Sequence, residues 1–127
     1  MFGLKPTTTT RAYLRAGSTD LRLSFEGLYA LVNRVIQQDP KSGHLFVFCN
    51  RARNRVKVLY WDGSGLWVCA KRLESGTFDW PKHNGSVAEM NCTQLQLLLE
   101  GFELRSRRGW YRRNTKTPES IFACSMQ

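Results

Sequence analysis

Ten carboxylates and two imidazoles are the groups in this 127-residue chain that could carry acid–base or metal chemistry. Three acids brought together could hold two metal ions for phosphoryl transfer. These acids are scattered, and most fall where a helix cap, a turn or an exposed helix face accounts for them. The spacings H-E-x-x-H, G-x-S-x-G and G-x-x-x-x-G-K-[ST] do not occur. His44 precedes an apolar run and His83 lies in a polar loop, neither beside an evident nucleophile. Cys49, Cys69, Cys92 and Cys124 form no C-x-x-C pair, and the histidines do not complete a zinc spacing. Cys49 and Cys69 sit inside apolar stretches, where a free thiol acts as a small hydrophobe. The residues therefore predict no catalytic group, no metal and no cofactor.

The arginines and lysines point elsewhere. Nineteen basic residues against ten acids give a formal net charge of +9. A field of that sign favours phosphate polymers and other anionic surfaces, although charge alone can also serve only solubility. Two constellations concentrate it. Arg51, Arg53, Arg55 and Lys57 cluster at an expected hairpin tip, the shape of a β-ribbon that grips a backbone or enters a groove. Residues 105–116 hold Arg105, Arg107, Arg108, Arg112, Arg113 and Lys116 with no acid among them, interleaved with Trp110 and Tyr111. Arginine there would neutralise phosphate while the aromatics stack on bases or sugars. Lys71 and Arg72 extend either surface. The competing readings are a solvated turn for the tip and a solvated or protein-binding extension for the tail.

The elements that must position these groups follow from periodicity. Residues 45–74 read as three successive strands. Residues 44–50 are almost continuously apolar, as in a strand covered on both faces. Residues 56–62 and 66–72 alternate, with Val56, Val58 and Tyr60 on one face and Lys57, Leu59 and Trp61 on the other. Asp62-Gly63-Ser64-Gly65 suits a tight turn, and Arg53-Asn54 turns the first hairpin with Asn54 in the left-handed conformation.

Before this region, residues 11–16 suggest a short strand setting Tyr13 against the core. A helix is expected over residues 20–38, capped by Ser18 or Thr19. Its face is Leu21, Phe25, Leu28, Val32 and Val35, and Asp39-Pro40 ends it. Gly27 inside that helix marks a close approach. After it, residues 77–80 are a short extended piece and 87–90 an edge strand. A second helix is expected at 92–100, capped by Asn91 or Thr93.

Length and a 42% hydrophobic share suit one domain with a single core. No apolar run approaches the roughly 20 residues needed to cross a bilayer, and no signal-peptide pattern opens the chain. The expected location is the cytoplasm of its cell.

The order of several blocks then resembles a known family. They are Ser18-Thr19-Asp20-Leu21-Arg22, Phe25-Glu26-Gly27-Leu28, and Asp39-Pro40 with Ser42-Gly43-His44-Leu45-Phe46-Val47-Phe48. Asn54-Arg55-Val56-Lys57-Val58-Leu59-Tyr60-Trp61-Asp62-Gly63 and Lys71-Arg72-Leu73-Glu74, with Phe78, Trp80 and Pro81, continue the series. Leu98-Leu99-Glu100-Gly101-Phe102 and Arg107-Arg108-Gly109-Trp110 complete it. The chain resembles, from Ala12 to Arg112, the small accessory protein of the IS-sixty-six class of bacterial insertion sequences. That protein is also called Orf-two or TnpB, and it is not the RNA-guided nuclease of the second name. The resemblance implies a protein made alongside a larger transposase that carries the acidic catalytic residues. It implies help in transposition through DNA or transposase contact, and it supplies no catalytic residues to carry over.

The expectation is an α+β fold: an antiparallel β-meander packed against one long helix, with a short C-terminal helix and a basic tail. Residues 1–10 would be a flexible arm, 11–104 the domain and 105–127 the tail. Such a protein would bind DNA at or near the element ends without catalysis. Arg51, Arg53, Arg55, Arg107, Arg108 and Arg112 would hold phosphates and Trp110 would stack. The rival is an adaptor docking on the transposase through an apolar patch around Trp61, Trp67 or Trp80. A nuclease is the third class, and self-association stays open.

Overall fold

The apolar run from residue 45 becomes the middle of a five-stranded sheet of order β4-β3-β2-β1-β5. The computed structural model describes residues 10–82 and 86–100. Its strands are β1 (Arg11–Arg15), β2 (Leu45–Cys49), β3 (Arg55–Trp61), β4 (Leu66–Arg72) and β5 (Val87–Asn91). Helix α1 (Phe25–Leu31) continues as a π-helical turn at Val32–Ile36, and α2 (Cys92–Leu99) follows β5.

Every residue of β2 is buried, because both faces of the sheet are covered. On one face Ala12, Leu14, Leu45, Val47, Val58 and Cys69 pack with Phe78, Trp80, Leu95 and Leu99. On the other, Phe46, Phe48 and Leu59 pack with Leu28, Leu31, Val32 and Ile36. Successive β2 side chains thus enter opposite cores, as the two-residue period requires.

Two expectations are corrected here. The sheet is mixed rather than an antiparallel meander. Strands β2, β3 and β4 pair antiparallel in chain order, but β1 lies parallel against the far side of β2, with Tyr13 opposite Phe46. The β1–β2 connection contains α1, and a crossover of that kind returns the chain to the end it left, which makes its two strands parallel. Strand β5 then adds antiparallel to β1 at the edge.

The expected 20–38 helix is also shorter. Its seven α-helical and five π-helical residues run from Phe25 to Ile36. Asp20 is the reason for the late start. Its carboxylate accepts the Arg22 backbone N–H at 3.0 Å and the Arg22 guanidinium, while its carbonyl accepts the Leu23 N–H at 3.2 Å. Those bonds stabilise a turn where the first helical turn was expected. Neither Ser18 nor Thr19 caps the helix, since Thr19 is buried and donates its N–H to the Cys49 carbonyl at 2.8 Å. Gln37, left-handed at φ 61°, closes the helical run.

Candidate nucleic-acid interface

The basic tip is held by one side chain. Asn50 Oδ1 accepts the backbone N–H groups of Asn54 and Arg55, each at 3.0 Å, and its Nδ2 donates to Asn54 Oδ1 at 2.8 Å. An asparagine at the head of a turn competes well for backbone amides, so the loop is pinned from within. It is also tied from outside: the Arg53 carbonyl accepts the Phe78 N–H at 2.7 Å and the Asn54 carbonyl the Leu73 N–H at 2.8 Å. The left-handed residue is Arg53, at φ 61°, not Asn54 as expected. Asn54 is instead engaged with Asn50.

Arg51 is exposed on this turn and Arg53 half-buried. Arg53 lies close enough to Cys49 for its charge to favour the thiolate, yet burial prevails and pushes the Cys49 thiol up to about 12. Cys49 is core filling, inert as a nucleophile.

Beyond the turn, the β3–β4 register sets Arg55 directly opposite Arg72 and Lys57 opposite Ala70. Like charges facing each other across an antiparallel pair repel. Both arginines are exposed, and among the described residues neither joins an ion pair. Arg11 and Arg22, by contrast, pair with Glu89 at 2.8 Å and Asp20 at 2.9 Å.

The two lysines nearby are anchored. Lys57 Nζ donates to the Leu23 carbonyl at 2.9 Å on the α1 face, and Lys71 Nζ to the Leu99 carbonyl at 2.7 Å on the α2 face. A cation at the carbonyl end of α2 is also where the helix dipole favours it. Leu21, Arg55, Lys57, Ala70, Lys71 and Arg72 border a cleft of about 420 Å³.

The structure therefore brings together Arg55, Lys57 and Arg72 on one face, with Arg51 and Arg53 on the adjoining turn, and sends the Lys71 ammonium to the opposite face. Arg105, Arg107, Arg108, Trp110, Arg112 and Arg113 lie outside the described residues. Sequence reasoning missed Asn50 as organiser of the tip, although the spacing N-x-x-x-N-R carries the signal of a side chain reaching forward to backbone amides. It also placed Leu21 in a helical core stripe, whereas Leu21 sits in the 20–24 turn and walls the cleft.

The tryptophans of the adaptor reading divide. Trp80 is only 3% exposed, with its indole N–H on the Arg15 carbonyl at 3.0 Å, so it offers no docking surface. Trp67 donates to Asp62 Oδ2 at 2.8 Å, and the Lys41 ammonium lies 5.1 Å from the Trp61 ring centroid. Among the described residues no cluster of three His, Cys, Asp or Glu side chains could hold a metal ion, and no helix is long and apolar enough to cross a membrane.

A family model described as IS66 Orf2 like protein matches residues 10–109. Two proteins of Sinorhizobium fredii, both described as uncharacterized, are similar in sequence. One, y4hO, is 37% identical over 95 residues, covering 75% of this chain and 83% of the relative. The other, y4jC, is 34% identical over 112 residues, covering 87% and 96%. No solved structure gives a significant match.

Proposed function

This chain belongs to the family of IS66 Orf2-like proteins, and on that premise we propose that it is a non-catalytic accessory protein of insertion-sequence transposition that grips DNA by its phosphates. The observation that carries this reading is the facing pair Arg55 and Arg72 beside the pinned arginine turn. Such a surface offers charge and fork-shaped donors without a groove-reading helix, which suits backbone contact more than base readout. The separate transposase of the element would supply the chemistry, and the accessory protein would act at or near the element ends.

Fluorescence anisotropy with element-end and random duplexes tests the reading. Affinity should fall steeply between about 50 and 200 mM salt, because each phosphate neutralised releases counterions. Combined Arg51→Ala, Arg53→Ala and Arg55→Ala changes should weaken both duplexes alike and flatten the salt dependence. Absence of binding to either duplex at low salt would overturn the proposal. A transposase pull-down addresses the adaptor alternative. Capture that survives those arginine changes and is lost on Trp61→Ala or Trp67→Ala favours docking over DNA contact.

A further inference from the structure

The facing arginines pose a problem that folding alone does not solve. Directly opposed side chains on neighbouring strands have Cβ atoms about 5 Å apart, so two guanidinium groups there repel unless something negative lies between them. Position 72 would be better filled, for stability, by an acid facing Arg55. The two lysines that could have spread the charge outward are held by the Leu23 and Leu99 carbonyls. The cleft between these groups has an apolar wall at Leu21 and a small floor residue at Ala70, and no aromatic ring borders it among the described residues.

We propose that this cleft is a seat for a single phosphate group of a nucleic acid, forked by Arg55 and Arg72 on the sheet face that also carries Lys57. This rests on the DNA reading above and narrows it to one site. Each of the opposed arginines carries a planar fork of N–H donors, the group that suits bidentate binding of phosphate. The described lining offers no aromatic platform on which to stack a base and its donors suit phosphate, so the seat takes the phosphate irrespective of sequence. The late start of α1 is part of the design. Had residues 20–24 formed helix, the turn that sets Leu21 on the cleft and the Leu23 carbonyl on Lys57 would not exist.

The test uses the full chain and inorganic phosphate at constant ionic strength. In the natural protein saturating phosphate should raise Tm by about 3 °C or more over chloride. Arg55→Gln and Arg72→Glu should each abolish that shift. Arg72→Glu should also fold at least as stably as the natural protein, with Tm raised by about 2–6 °C in chloride, because it turns the repulsion into an ion pair. A phosphate shift that is absent in the natural protein, or that persists in either variant, overturns the seat.

Duplex binding separates this failure from failure of the DNA reading. Loss of the arginine pair should lower the salt slope by about 1. An unchanged slope with DNA affinity intact sinks the seat and leaves the function standing. A phosphate shift without any DNA binding sinks the function instead. Equal affinity for 5′-phosphorylated and unphosphorylated duplexes assigns the seat to backbone phosphate, and tighter binding of the former assigns it to a strand terminus.

Discussion

Asp62 shows how a single exposed side chain can hold a turn. Its carboxylate accepts the Ser64 and Gly65 N–H groups at 2.8 and 2.9 Å, the Ser64 hydroxyl at 3.1 Å and the Trp67 indole at 2.8 Å. The backbone N–H of Ser64, then the Trp67 indole and the Gly65 N–H, hold its pKa down to about 2 from an ordinary 3.8. Arg22 does the same for Asp20, chiefly through its guanidinium hydrogen bonds, again to about 2. A carboxylate depressed in the folded state stabilises it above the unfolded pKa and loses that contribution as pH falls through the folded one. Thermal melts should therefore show Tm falling between about pH 4 and pH 2. Asp62→Asn should shrink that drop without abolishing it, because Asp20 titrates in the same window. A pH profile identical to the natural protein's would show that the Asp62 bonds are absent in solution. This residue was legible in the sequence as a turn former, since D-G-S-G needs only local chemistry. Gly63, at φ 104°, supplies the conformation that its neighbours could not adopt without strain.

Helix α2 and helix α1 contrast what local sequence can and cannot specify. Asn91 caps α2 in a capping box: its side chain accepts the Gln94 N–H at 2.8 Å, and Gln94 Oε1 accepts the Asn91 N–H at 2.9 Å. Everything in that motif lies within four residues, and the expected start at residue 92 agrees with it. Asn91→Ala should cost about 1 kcal/mol in urea denaturation, with the m-value unchanged. A loss below a few tenths would mean that packing of Leu95 and Leu99 alone sets the helix. Helix α1 had the stronger apolar periodicity and was still misjudged by a full turn at its start. Periodicity marks residues that could face the core: Leu28 and Val32 do, Leu21 is half-buried in the turn, and Phe25, expected on that face, is 45% exposed. Gly27 was legible as a point of close approach. A Cβ there would come within 2.6 Å of Leu23 Cδ2, so the turn folds back on the helix over a residue with no side chain.

At the scale of the sheet, the strand order places β2 at the centre and, among the described residues, leaves β4 and β5 with one unpaired edge each. Hydrogen exchange should follow that order, with the slowest amides in β2 and faster exchange in β4 and β5. Protection in β4 equal to that in β2 would show that this edge is covered in solution. The sequence by itself determined the strands of residues 45–72, the Asp62 turn, the capped second helix and the basic character of the tip. All of these depend on periods and contacts spanning a few residues. Only the tertiary structure decided that β1 enters the sheet parallel to β2, that Arg55 faces Arg72, and that Lys57 and Lys71 turn away to opposite faces. Those outcomes rest on register between segments far apart in the chain, where a slip of one residue would send each side chain to the other face. The cleft at the arginine tip is a product of that register: its charges can be read from the sequence, but their meeting cannot.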